Sequence, residues 1–121
     1  MPRHLLAFLL CASSTAIAQT PEAHRAQVLR EAGTDGALIA MALHCKQPKD
    51  TINRLANKLE TLTMALARSK SVTLDGNTYA DVVHDGFLQT REVLSVTESG
   101  DASYREQCTE VQGKVQKKLA E

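Results

Sequence analysis

The chain is poor in aromatic residues and has no excess of charge of either sign. Aromatic residues make up 3% of the 121 residues, tryptophan is absent, and Lys and Arg together number 14, as do Asp and Glu. The one tight group of cations, Lys114, Lys117 and Lys118, lies near the end of a predicted helix, where positive charge suits the helix dipole. Because a basic stripe and interleaved aromatic residues are both missing, we expect no nucleic-acid partner.

The motifs that mark common catalytic and cofactor sites are also missing. The sequence contains no Gly-x-Ser-x-Gly elbow, no glycine-rich phosphate loop and no Cys-x-x-Cys-His haem attachment. Asp75-Gly76-Asn77 lacks the alternating oxygen ligands and the distant glutamate of a calcium-binding EF-hand. We therefore expect a protein that is not an enzyme and that carries no cofactor.

No apolar run is long enough to span a membrane. The longest, residues 5–12, is well short of the roughly twenty residues that a membrane helix needs. It follows the basic Arg3 and precedes Ala16-Ile17-Ala18, the small-x-small pattern at which signal peptidases cut. The sequence predicts cleavage between Ala18 and Gln19, which would leave a periplasmic or secreted chain without a membrane anchor.

Cleavage would also change the number of cysteines. Cys11 would leave with residues 1–18, and the mature chain, predicted to be one domain over residues 19–121, would keep Cys45 and Cys108. In an oxidising compartment two such cysteines pair as a disulfide, and the alternative is a pair of buried free thiols. A Cys45–Cys108 bridge would close a loop of about sixty residues and stabilise the fold by about 4 kcal/mol on the chain-entropy model.

Apolar periodicity predicts helices throughout the mature chain. The clearest stripe has spacings of three and four residues and consists of Ile52, Leu55, Leu59, Leu62 and Leu66. A second stripe near the end of the chain consists of Tyr104, Cys108, Val111, Val115 and Leu119. With further helices capped by Thr20 and by Thr78, these stripes predict an all-α bundle of four to five helices tied by the disulfide.

Two glycines leave it undecided from the sequence whether the first helix is continuous. Gly33-Thr34-Asp35-Gly36 interrupts the apolar pattern after about Glu31, and a second apolar segment runs from Ala37 to Cys45. This break predicts either a kink or a full turn. Gly86 lies in the apolar face of a later helix, at a cost of about 1 kcal/mol relative to alanine, and would let another helix approach closely.

Two polar clusters are the alternatives for metal binding. Met41 and His44 share one turn with Cys45, and thioether, imidazole and thiolate ligands suit copper, although a disulfide would remove the thiolate. Asp81, His84 and Asp85 share a helical face that could contribute to a zinc site, but a ligand from another helix would be needed and none is identifiable. The expectation is that neither cluster binds metal. A periplasmic metal- or haem-handling protein is the alternative function.

Two loops between predicted helices are candidate partner-binding segments, since loops on rigid scaffolds often carry binding residues. The first loop contains Lys46, Gln47 and Lys49 beside the expected disulfide. The second, residues 69–77, contains Val72, Leu74, Asp75 and Asn77. Val72 and Leu74 would contact a partner if the loop is open, and the alternative is that both pack back onto the bundle.

The sequence favours a small periplasmic or secreted protein that binds another protein. In overall plan it is similar to the one-disulfide helical proteins of the bacterial periplasm, which include immunity proteins, acid-stress chaperones and secretion accessories. That similarity implies first an inhibitor or immunity-type protein, then a chaperone or secretion accessory, and it transfers no residue role. A hydrolase that uses Asp81, His84 or Glu60 is a third possibility.

Overall fold

The computed structural model describes residues 20–96 and 100–121. Within these ranges the chain forms four α-helices and no strand: α1 Pro21–His44, α2 Lys49–Ser69, α3 Gly76–Leu94 and α4 Ala102–Ala120. The predicted all-α class is therefore confirmed. The described part contains four helices, the lower of the two expected numbers. The predicted signal segment and cleavage site lie outside the described residues.

α1 is the central helix of the bundle, because α2, α3 and α4 all pack against it. α2 and α4 also contact each other, whereas the main helix packing of α3 is with α1 alone. The hydrophobic core lies among α1, α2 and α4 and consists of Leu38, Ala42, Leu55, Leu59, Val111 and Val115. α3 is therefore an edge helix, held on the side of α1.

α3 runs parallel to α1, as contacts near both of its ends show. Before α3 begins, the carbonyl of Thr73 accepts a hydrogen bond of 3.3 Å from the guanidinium of Arg25, in the first turns of α1. At the other end, Leu94 of α3 and His44 of α1 line the same groove. With short connections between successive helices, the order is up-down-up-down.

The predicted disulfide is confirmed and joins the end of α1 to α4. The Sγ atoms of Cys45 and Cys108 are 2.06 Å apart and the two Cα atoms 5.4 Å apart. Beside the bridge, the hydroxyl of Tyr104 donates a 2.9 Å hydrogen bond to the carbonyl of His44, and the two rings meet edge to face. The covalent link and this hydrogen bond hold the start of α4 on the end of α1.

α1 passes through the predicted break without interruption, so the expected kink or turn at Gly33–Gly36 is wrong. Gly36 faces α3 instead. A Cβ atom on Gly36 would collide with the carbonyl oxygen of Val83, and one on Gly86 would collide with the carbonyl of Gly33. The missing side chains let the two helix backbones touch, and that packing offsets the roughly 1 kcal/mol by which each glycine disfavours a helix. The close approach expected at Gly86 is confirmed.

The cap predicted for α1 is confirmed, whereas the cap predicted for α3 is wrong. The Oγ1 atom of Thr20 accepts from the backbone N–H of Ala23 at 3.1 Å, so Thr20 caps α1 as expected. α3 begins before Thr78, because the carboxylate of Asp75 is its cap and accepts from the backbone N–H of Thr78 at 2.8 Å. This hydrogen bond holds the pKa of Asp75 below its usual range.

α1 and α2 end in the same backbone arrangement. Lys46 and Ser71, each just past a helix, have positive φ angles of 58° and 55°. The following residues complete the pattern: Gln47 N–H donates to the carbonyl of Ala42 at 3.0 Å, and Val72 N–H donates to that of Ala67 at 2.8 Å. These are the bonds of a Schellman motif, so backbone hydrogen bonds set the course of both predicted binding loops.

Candidate functional site

A buried carboxyl group joins three helices. Asp35 of α1 is 2% exposed and Thr63 of α2 is 1% exposed, and they are the buried polar side chains of the described core. The Oδ2 atom of Asp35 accepts a 2.6 Å hydrogen bond from the hydroxyl of Thr63 and a 2.9 Å hydrogen bond from the hydroxyl of Tyr79 in α3. α1, α2 and α3 therefore meet at one carboxylate oxygen.

The surroundings of Asp35 make it titrate near neutral pH. Burial raises the pKa of Asp35 to about 6, and the hydrogen bonds from Thr63 and Tyr79 act in the opposite direction without cancelling the effect. The negative charge of Glu31 raises this pKa further, and Lys118 lowers it slightly. Burial and the Asp35 carboxylate also raise the pKa of Tyr79, so its hydroxyl keeps its proton and remains a donor.

We expect the unfolding free energy to be higher at pH 5 than at pH 8. The pKa of Asp35 is about 6 in the folded protein against a model value of 3.8, so the folded state binds the proton more readily. The associated stability is complete below the unfolded pKa and is lost as the pH rises through the folded pKa. Between pH 5 and pH 8 the loss is roughly 1.4 kcal/mol.

Urea denaturation of the wild-type protein and of Asp35→Asn at both pH values measures this effect. The variant keeps an acceptor oxygen for both hydroxyls but has no ionisable group at this position. It also keeps every histidine, so the difference between the two proteins isolates the contribution of Asp35. The same pH dependence in both would contradict the prediction.

An open groove, here called the α3 groove, runs along one side of α3. Its first half has a volume of about 340 Å³ and is lined by Ile39 of α1, by Ala56, Asn57 and Glu60 of α2, and by a row of α3 side chains from Tyr79 to Phe87. Its second half has a volume of about 360 Å³ and lies between the ends of α1 and α3. Phe87 lines both halves, so the two halves adjoin at its side chain on α3.

The groove has an apolar floor and a charged side chain beside each half. Ile39, Val83 and Phe87 are half-buried, and Leu43 is 48% exposed. Glu60 lies beside the first half of the groove and Arg91 beside the second. The ion pairs found among residues 20–96 and 100–121 include neither Glu60 nor Arg91.

The two predicted binding loops lie at opposite ends of α2. Since this helix has 21 residues, the loops are about 30 Å apart and do not form one surface. Lys46 is exposed, Gln47 is half-buried, and Asp75 caps α3. Lys49 and Asn77 are also exposed, but they lie in the first turns of α2 and α3, so their assignment to loops is wrong. Val72 and Leu74 are half-buried, which corresponds to the alternative in which both pack back onto the bundle.

In the two clusters considered for metal binding, the side chains either make other contacts or are exposed to solvent. Met41 packs against the core, and Cys45 is bonded to Cys108. Asp81 and His84 are exposed on α3. In the part of the chain that the structure describes, no three His, Cys, Asp or Glu side chains are placed to hold a metal ion together.

Sequence reasoning missed Asp35, although a signal for it existed. Asp35 occupies one position in a stripe of buried α1 residues whose spacings are three and four: Val28, Ala32, Asp35, Leu38 and Ala42. Thr63 continues the stripe of Leu55 and Leu59 in the same way. A polar residue at a stripe position of each of two helices indicates a buried hydrogen bond between them.

No protein-family model matches the chain, and no curated protein or solved structure matches it. None of the four described helices has both the length and the apolar character needed to cross a bilayer. The function is therefore inferred from the geometry of Asp35 and the α3 groove.

Proposed function

We propose that the protein is a small, non-enzymatic binding protein of the periplasm or of the secreted fraction, and that it holds a helix of a partner protein in the α3 groove. The observation that carries this proposal is the groove itself, which is long, open and apolar along its floor. Amphipathic helices bind such grooves through side chains at positions i, i+3 or i+4, and i+7. Within this class we favour an inhibitor or immunity-type protein over a chaperone or a secretion accessory.

The walls of the groove suit a helix in particular. In its first half both walls are helices, α2 and α3, and they present the small residues Ala56, Gly76 and Ala80. Small residues allow a third helix axis to approach to within about 8–10 Å. α3 has 19 residues and is therefore about 28 Å long, which is enough to accommodate about five turns of a bound helix.

The charges at the rim favour one direction for the bound helix. The positive end of a helix dipole is its N-terminus, which would lie beside Glu60, and the negative C-terminus would lie beside Arg91. The partner helix would therefore run parallel to α3. Basic side chains near its start and acidic ones near its end would complement the rim, and such complementarity mainly improves specificity and the rate of association.

The proposed compartment rests on the disulfide and on the predicted signal. A disulfide persists in oxidising compartments such as the periplasm and is rare in the cytosol of most organisms. This fold contains the Cys45–Cys108 disulfide. Mass spectrometry of the protein isolated from its host would test cleavage, for which we expect a chain that starts at Gln19.

Ala80→Arg is expected to weaken helix binding at least about thirtyfold, because a long charged side chain would fill the first half of the groove. Ala80 is exposed and lies within α3, so the substitution should leave the fold intact. The probe is a displayed library of 18-residue amphipathic helices, selected on the purified oxidised protein. We expect the selected peptides to share one apolar stripe with basic residues towards its N-terminal end.

Gln89→Arg is the matched control, since it introduces the same side chain at an exposed position of α3 that does not line the groove. Peptides that bind the wild-type protein should bind this variant equally well. Failure to select any helix, or equal binding to Ala80→Arg and wild type, would rule out the groove as the binding site. A photo-crosslinker at position 80 in the native host, competed by a selected peptide, would then identify the partner.

A further inference from the structure

We infer that the contact of Tyr79 with Asp35 and Thr63 is a pH-responsive latch, which holds α3 in place while Asp35 is protonated and lets it open more often once Asp35 is ionised. The latch is a property of the bundle alone. Its consequence for partner binding rests on the function proposed above, because α3 forms one wall of the α3 groove.

The position of α3 in the bundle makes it the element that such a latch would control. Its main helix packing is with α1, whereas α1, α2 and α4 contact one another around the common core. Only Tyr79 and Leu94 of α3 are buried, and no α3 residue belongs to that core. Elements with few buried apolar side chains open at lower free energy than the core of a fold. Tyr79 supplies the buried polar link from α3 to Asp35 and, through it, to Thr63 of α2.

Tyr79 also connects the latch to the groove. Its side chain is 6% exposed, and its hydroxyl donates to Asp35 inside the bundle. The same residue lines the first half of the groove, beside Ala80 and Val83. A displacement of Tyr79 therefore displaces the wall against which a bound helix would lie.

The charges around Asp35 do not neutralise it when it is ionised. From α1, Glu31 repels the carboxylate, and from α4, Lys118 attracts it. Lys118 is already shared between Glu31, at 3.9 Å, and Glu121, at 3.7 Å. From α2, the negative charge of Glu60 faces Tyr79, the titratable group that α3 contributes.

A buried carboxylate without its own cation is stabilised by any opening that lets water reach it. The pKa of Asp35 lies at about 6, so the change from the neutral to the ionised form falls between pH 5 and pH 8. The opposing effect is that an ionised acceptor strengthens the hydrogen bonds from Tyr79 and Thr63. If that effect dominated, α3 would become better protected as the pH rises, which is the opposite of our expectation.

Amide hydrogen exchange of the full-length oxidised protein, corrected for intrinsic rates, tests the latch. We expect α3 amides to be less protected than the α2 amides around the core residues Leu55 and Leu59 at both pH values, as local opening requires. Their protection should fall about tenfold from pH 5 to pH 8 in the wild-type protein and stay constant in Asp35→Asn. Asp85→Asn, the same substitution at an exposed position of α3, should retain the wild-type pH dependence.

Three outcomes would overturn the latch: α3 protection that is independent of pH, a fall that persists in Asp35→Asn, or α3 amides as protected as those of the α2 core. The exchange experiment contains no partner, so a negative result there does not affect the binding proposal. Likewise, failure to select a helix does not affect the latch.

If the latch and the binding proposal are both correct, a selected peptide should dissociate up to about tenfold faster at pH 8 than at pH 5 from the wild-type protein. It should show no such difference with Asp35→Asn.

Discussion

Reduction of the Cys45–Cys108 disulfide is expected to lower the unfolding free energy by about 4 kcal/mol. The bridge joins residues 63 positions apart, so it removes a large loop-closure entropy from the unfolded chain. Small domains are stable by only about 5–15 kcal/mol in total. Urea denaturation at constant pH, with and without a reductant, measures the effect.

The double variant Cys45→Ala with Cys108→Ala is the control for the reductant, because it lacks the bridge under all conditions. It should be about as stable as the reduced wild-type protein and should not respond to the reductant. A loss of less than about 1 kcal/mol in both experiments would show that the bridge adds little to the packing and to the Tyr104–His44 hydrogen bond.

Replacement of Gly36 or Gly86 by alanine is expected to destabilise the protein by about 2–3 kcal/mol in each case. A Cβ atom on Gly36 would lie 2.8 Å from the backbone nitrogen of Phe87 and would also collide with the carbonyl of Val83. At Gly86 the obstacle is the backbone of Gly33. Since backbone atoms cannot rotate away, α1 and α3 would have to separate, which would also weaken the contact of Tyr79 with Asp35.

Gly33→Ala and Gly113→Ala are the matched controls. A Cβ atom at either position would meet no other atom within 4 Å. Both substitutions should therefore stabilise the protein by up to about 1 kcal/mol through helix propensity. If Gly36→Ala also stabilised the protein, the close contact between α1 and α3 would be refuted.

The parts of the fold that were predicted correctly depend on local patterns. The α2 stripe of Leu55 and Leu59 is visible because one helix repeats its inward face every three to four residues. The pairing of Cys45 with Cys108 followed from a count of two, once Cys11 was assigned to a cleaved segment. The break expected in α1 was wrong because it was inferred from local sequence alone. The role of Gly36 depends on contact with a helix about fifty residues further along the chain.

The candidate site was less accessible to prediction. Each member of the buried contact lies on a different helix, and Thr63 and Tyr79 are 28 and 44 positions from Asp35. No local pattern relates such positions. The α3 groove exists because α3 packs on α1 and leaves a gap beside α2, and that arrangement is a property of the assembled bundle.

The amino-acid sequence by itself determined the helical class, the main apolar stripes and the cysteine pair. These features come from helix periodicity, from capping and from composition, which act over a few residues or over the whole chain at once. Only the tertiary structure decided that glycines would join α1 to α3, that Asp35 would be buried with an elevated pKa, and that one side of α3 would be left open. The physical reason is that burial and close contact depend on which helix faces meet, and that choice is made by packing among residues distant in sequence.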